Sequence, residues 1–136
     1  MSYTITKKSP IFEFMKEFFI PYNVPSSKNS RQWTGKYFVV SKGVQKWKAL
    51  TKPVWQKYQS DFIKAIEGKA LPLKIEMEFI RGSKHKFDYI NPAQTIQDEM
   101  VHHGWLEDDN CTIMIPYFKE YSYDKENPGV YIRILD

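Results

Sequence analysis

Between Lys86 and Asn110 the chain reads KFDYINPAQTIQDEMVHHGWLEDDN, with acids on both sides of a short apolar-periodic stretch. Asp88 precedes the stretch; Glu107, Asp108 and Asp109 follow it. Carboxylates brought together from the two ends make a divalent-metal site, so Asp88, Asp108 and Asp109 are the candidate ligands and catalytic residues. Mg²⁺ suits such a set, with Mn²⁺ as an alternative, because it prefers oxygen, keeps several waters and takes only one or two protein carboxylates. Such an ion neutralises the charge that develops in phosphodiester hydrolysis and supplies hydroxide near neutral pH. Each acid also has a plainer reading. Glu107 to Asn110 reads equally as an Asx-type turn, and Asp88 as an extra acid favouring a helix N-terminus. Asp98 and Glu99 read as solvated helix residues. His102 and His103 read as favourable charges at a helix C-terminus rather than as a metal pair.

The surround is basic. Residues 1–86 hold 17 of the 20 Lys and Arg and 6 of the 16 Asp and Glu, whereas residues 87–136 hold the other 3 basic and 10 acidic ones. One half can neutralise phosphates while the other holds a metal, which points to a polyanion such as nucleic acid. Lys28, Arg31, Lys84 and Lys86 are the candidate phosphate contacts; a merely solvated set of lysines would look similar. There is no Ser-His-Asp pattern, no phosphate-cradling glycine loop and no zinc spacing. The single cysteine, Cys111, cannot form an intramolecular disulfide. That fits a reduced, cytoplasmic setting. The apolar run Ile11–Ile20 is broken by Glu13, Lys16 and Glu17, so neither a signal peptide nor a membrane span is expected.

The elements that must position these residues follow from periodicity. A chain of 136 residues is one domain with material for a real core. Residues 1–10 read as a loosely ordered N-terminal segment and 11–136 as the domain. Phe12–Ile20 reads as a first strand, and Pro21 through Gly35 as a loop whose Pro25–Arg31 portion suits phosphate contacts. Tyr37–Val40 reads as a short strand. From Lys42 to Ile66 the residues Val44, Trp47, Leu50, Val54, Trp55, Tyr58, Phe62, Ile63 and Ile66 recur at helical spacing, with Pro53 expected to kink or split the helix. The aromatic stripe reads as core rather than as a base-stacking platform. Leu73–Phe79 alternates as a half-buried strand. Asn91-Pro92 reads as N-cap and first helical position. Ile96, Met100 and Val101 then supply the buried face, and Gly104 ends the helix. Thr112–Phe118 and Val130–Leu135 close the domain, joined by a polar Glu120–Asn127 stretch with Pro128-Gly129 as its turn. The order is β-β-α-β-α-β-β: an α+β, two-layer domain with two main helices on a mixed β-sheet. A helix of about a dozen residues spans about 18 Å. The acid clusters therefore meet only if the turn after Gly104 leads back, or if another chain supplies one of them.

The same run resembles the RusA family of Holliday junction resolvases. The matching residues are Asp88-Tyr89-Ile90-Asn91, then Gln94, Asp98-Glu99-Met100 and Gly104 through Asp109. Pro25-Ser26-Ser27-Lys28-Asn29 is similar to the family's N-terminal proline/basic loop, and the likeness extends over roughly Phe18 to Leu135. The resemblance implies a RusA-like fold and a Mg²⁺-dependent endodeoxyribonuclease acting as a homodimer on branched or four-way junction DNA, in recombination and repair. It further implies a bacterial or phage-encoded chain. Asp88 matches the family's first catalytic aspartate and Asp109 its last. Asn91 and Gln94 would face the DNA beside Lys28, Arg31, Lys84 and Lys86. Two positions depart: Ile90 stands where the second aspartate belongs, and Gln94 where the catalytic lysine belongs. The alternative expectation is accordingly a catalytically impaired relative that binds branched DNA without cutting it.

Overall fold

A computed structural model describes residues 15–26, 31–33, 38–40 and 42–136, the two three-residue pieces by backbone alone. The N-terminal segment 1–10, the first part of the expected strand from Phe12, and the Lys28 position lie outside the described residues, as do the side chain of Arg31 and residue 37.

The strands are β1 (Glu17–Pro21), β2 (Arg31–Trp33), β3 (Phe38–Val40), β4 (Leu73–Arg81), β5 (Met114–Tyr123) and β6 (Gly129–Leu135); the helices are α1 (Lys42–Ile66) and α2 (Ile90–His102). The fold is α+β. Four strands form one open mixed sheet in the order β1-β6-β4-β5, and among the described residues β2 pairs only with β3. The expected loop through Gly35 therefore contains a strand. Arg31-Gln32-Trp33 carries no alternation to announce it, and only its antiparallel pairing with Phe38–Val40 defines it.

β4 is the axis of the sheet. Leu73, Ile75, Met77 and Phe79 are buried in strict alternation, as a strand with one covered face requires. β6 runs antiparallel to β4, and β5 runs parallel to it. A parallel neighbour needs a long crossover, which α2 supplies. On the helix side, Phe18, Ile20, Val130, Ile132 and the β4 residues meet Trp55 and Phe62 of α1, Ile96 and Met100 of α2, and Trp105. Trp105 is the hub: its ring centroid lies 4.7 Å from Phe62, 4.9 Å from Trp55 and 5.3 Å from Phe18. Its indole N–H donates to the Trp55 carbonyl at 3.0 Å, so burying it leaves no orphan donor. On the other sheet face, Arg133 of β6 bonds Glu17 of β1 at 2.6 Å and Glu76 and Glu78 of β4 at 2.9 and 2.7 Å, tying three strands together.

α1 buries Val44, Trp47, Thr51, Trp55, Phe62 and Ala65, so the aromatic stripe is core. Leu50 and Ile63, expected on that face, are exposed. Thr51 takes the inner position because its hydroxyl donates to the Trp47 carbonyl at 3.0 Å and accepts the Trp55 indole N–H at 3.2 Å. Pro53 does not split the helix, which is continuous from Lys42 to Ile66. The carbonyl that loses its partner belongs to Ala49, an exposed residue, so the loss falls on the solvent side of the helix rather than in the core.

Candidate nucleic-acid site

Asp88 lies on the segment between Arg81 and Ile90, at the carboxyl end of β4, and is exposed. The helix after it starts earlier than expected. α2 begins at Ile90, with Tyr89 as its cap residue and no side-chain cap bond, so Asn91 is not the N-cap. The Asn91 N–H instead donates to the Asp88 carbonyl at 3.1 Å. Tertiary packing sets the start. The Tyr89 ring stacks on Phe118 at 5.3 Å, and its hydroxyl accepts the Tyr121 backbone N–H at 3.0 Å. Pro92 still falls within the first turn, where a missing N–H costs nothing. Ile90, at the resemblance's departing position, is 66% exposed. Gln94 is on the solvent side of α2 and donates to Asp98 at 2.7 Å.

The far end of α2 closes as expected. Gly104, at φ +74°, follows the C-cap His103; Trp105 N–H bonds the Met100 carbonyl at 2.8 Å and Gly104 N–H the Val101 carbonyl at 3.1 Å. This is the paired Schellman closure that a left-handed glycine permits. Beyond it, Asp108 accepts the Asp109 backbone N–H and the Asn110 side-chain amide, each at 2.8 Å. Asn110 in turn accepts the Thr112 N–H at 2.9 Å. The Asx-type turn is therefore present, and its hydrogen bonds, that from Asn110 first, hold the Asp108 carboxyl below its usual range. It is ionised at neutral pH.

α2 spans 13 residues, about 20 Å along its axis. Asp88 sits at its start, and the segment carrying Asp108 and Asp109 leaves its end. That segment turns back. Asp109 accepts the side-chain amide of Gln97 at 3.4 Å, near the middle of the helix. About 10 Å of axis still separates Gln97 from the start of α2. Oxygen-only, exposed carboxylates are the right donors for Mg²⁺. Among the described residues, however, no three His, Cys, Asp or Glu side chains come close enough together to hold a metal ion.

Lys84 and Lys86 are exposed on the turn after β4, with the Lys84 ammonium 5.1 Å from the Tyr123 ring centroid. Arg81 is partly built into the fold: it donates to the Val24 carbonyl at 2.9 Å and lies 4.5 Å from the Phe87 ring.

Glu99 does not sit where the sequence puts it, whereas His103 is at the helix C-terminus as expected, as the C-cap of α2. Glu99 is 3% exposed, not solvated, and lies 3.6 Å from His103, whose ring stacks on Trp55. The α2 face carrying them packs toward α1, and with Lys48, Lys52, Asp98 and His102 they line a cleft of about 530 Å³. Burial pushes the Glu99 carboxyl up, against the pull of Lys48, and pushes the His103 imidazole down. A second missed group is aromatic. Phe118, Tyr121 and Tyr123 are 38–47% exposed along β5, beside the Asp88 segment.

No model of a known protein family matches the chain, and no curated protein matches it.

Proposed function

We propose that this chain is a RusA-like, Mg²⁺-dependent endonuclease that cuts branched DNA as a homodimer, in recombination or repair. In this reading Asp88 and Asp109 hold the metal, with Asp108 in support. Lys28, Arg31, Lys84 and Lys86 hold phosphates, and Asn91 and Gln94 face the strand. The bound ion would polarise the phosphodiester and supply hydroxide. The chain's own residues orient the DNA backbone, and the hydrogen bonds of the turn hold the Asp108 carboxyl below its usual range. The observation that carries the reading is the return of the segment after Gly104 along α2, which brings Asp109 to Gln97 instead of leaving it beyond the helix end. Asp88 follows β4 directly, at a strand's carboxyl end, where open α/β units present ligand-binding groups. Two symmetric nicks in a four-way junction need two sites related by a two-fold axis.

A second reading, a branched-DNA-binding protein that does not cut, is favoured by the exposed apolar Ile90 beside Asp88 and by Gln94 being bonded to Asp98. One experiment separates the two. Purified protein is incubated with an end-labelled four-way junction and Mg²⁺ or Mn²⁺. The nuclease reading expects paired nicks that fall by about 10²-fold or more in Asp88→Asn, the usual cost of losing one stabilising group. Salt-sensitive binding with no metal-dependent product supports the binder. Equal nicking by wild type and Asp88→Asn sinks the nuclease assignment.

A further inference from the structure

Three of the four exposed aromatics of β5, Phe118, Tyr121 and Tyr123, share one face because of a single irregularity in pairing, while Tyr117 lies on the other. Up to Met77↔Phe118, parallel pairing with β4 places Met114, Pro116 and Phe118 on the face of the buried β4 residues. Glu78 then pairs with Lys119, but Ile80 pairs with Ser122. β5 thus spends two residues, Glu120 and Tyr121, where β4 spends only Phe79. Strand side chains alternate with period two, so the extra residue turns every later side chain to the other face. Without it, Tyr121 and Tyr123 would point the same way as Tyr117 and Lys119. With it, they join Phe118. Such bulges are rare in parallel pairs and characteristically re-aim side chains beside functional sites.

The rings confirm the shared face. Tyr121 meets Phe87 edge-on at 5.0 Å, and Phe118 stacks on Tyr89 at 5.3 Å. Tyr89 and Phe87 belong to the segment around Asp88, so the rings are propped from beneath while 38–47% of each of Phe118, Tyr121 and Tyr123 stays exposed. β5 is one of the two edge strands of its sheet. Cations interleave with the rings: Lys84 lies over Tyr123 and Arg81 over Phe87, with Lys86 exposed beside Phe87. On the strand's trailing turn Asp124 accepts the Glu126 N–H at 2.9 Å and the Asn127 N–H at 3.3 Å.

The geometry points to a base-stacking platform: Phe118, Tyr121 and Tyr123 receive unpaired nucleotides of DNA, with Lys84 and Lys86 on the flanking phosphates. This rests on the branched-DNA reading above and deepens it, since it makes the unpaired strand at a branch the feature recognised. Aromatic faces accept any base, and phosphate-directed cations supply the salt-dependent part, which is the general design of single-strand binding. An apolar protein partner would gain little from the interleaved cations.

The test is anisotropy titration of the full chain, in EDTA, with labelled oligothymidine, a splayed duplex, and a fully paired duplex of equal length. Wild type binds the first two more tightly than the third. Tyr121→Leu, which keeps apolar bulk without the ring, weakens oligothymidine binding by roughly 5- to 100-fold and leaves the paired duplex unchanged; Tyr121→Phe restores it. Tyr123→Leu behaves alike and provides the readout if Tyr121→Leu melts early. Lys84→Gln weakens all three ligands together and makes the salt dependence shallower. Equal affinity of wild type for oligothymidine and paired duplex, or Leu variants that bind oligothymidine like wild type, overturns the platform. A protein that prefers unpaired strands without ever nicking a junction loses the nuclease reading alone.

Discussion

Glu99 is a buried carboxylate whose ion-pair partner, His103, stands at 3.6 Å, beyond hydrogen-bond reach. Burial acts on both groups toward neutrality, raising Glu99 and lowering His103. The two titrations then oppose each other. Above the ordinary Glu value of 4.5 the folded chain keeps a proton that the unfolded chain has released, so stability falls as pH rises toward the raised value. Below the ordinary His value of 6.5 the unfolded chain takes a proton that folded His103 refuses, so stability falls as pH drops. Replacing the carboxyl removes the first effect. Glu99→Gln is expected to stabilise the protein at pH 7, because the buried carboxylate is disfavoured in its charged form. It should also leave only the His103 branch in urea melts followed from pH 4.5 to 8. A loss of stability at pH 7 would mean that a charged Glu99–His103 pair, not burial, governs the site.

At the scale of elements, β1 and β6 are held together by a close approach that only glycine allows. Gly129 pairs with Pro21, and a Cβ there would run into the Ile20 carbonyl and the Phe19 ring. Gly129→Ala is expected to lower stability by about 1–3 kcal/mol, the cost of overpacking. It should loosen β1 first, which hydrogen exchange of the Phe18 and Ile20 amides would reveal; unchanged protection there refutes the argument. Gly129 was legible only as part of a Pro-Gly turn. Other elements were plainer. α1 could be bounded from its stripe because 25 residues repeat one period, β4 from strict alternation, and the end of α2 from Gly104. What escaped had non-local causes. The start of α2 followed the packing of Tyr89 on Phe118 rather than the capping chemistry of Asn91-Pro92. β2 exists through its partner alone. The β5 bulge depends on register with β4, which no property of residues 114–123 encodes by itself. Glu99 lies buried because the α2 face that carries it packs toward α1, a relation no helical period reveals. The candidate acids were legible as residues, but their separation was not, since it depends on how far the return loop climbs along α2.

That separation makes the assembly the deciding scale. β4 and β5 are parallel and α2 runs back between them, so Asp88 and the segment carrying Asp108 and Asp109 leave opposite ends of one β-α-β unit. The return to Gln97 recovers part of the distance. Among the described residues of one chain, no three metal-ligating side chains gather. In the proposed homodimer the remaining gap can be closed in two ways: each chain completes its own site when DNA and metal bind, or a two-fold axis sets Asp88 of one protomer beside Asp109 of its partner. Mixing variants distinguishes them. Asp88→Asn and Asp109→Asn are each expected to be inactive as purified dimers. Co-expressed in equal amounts, about half of the dimers are mixed. If sites are shared across the axis, each mixed dimer holds one intact site and one doubly substituted site, so nicking returns to about one quarter of the wild-type level. If every site is built within one chain, no mixture contains an intact pair, and activity stays at that of the parents. Recovery under these conditions requires both the metal role of the two aspartates and the dimer. An active wild type with an inactive mixture keeps the nuclease and places its acids within a single protomer.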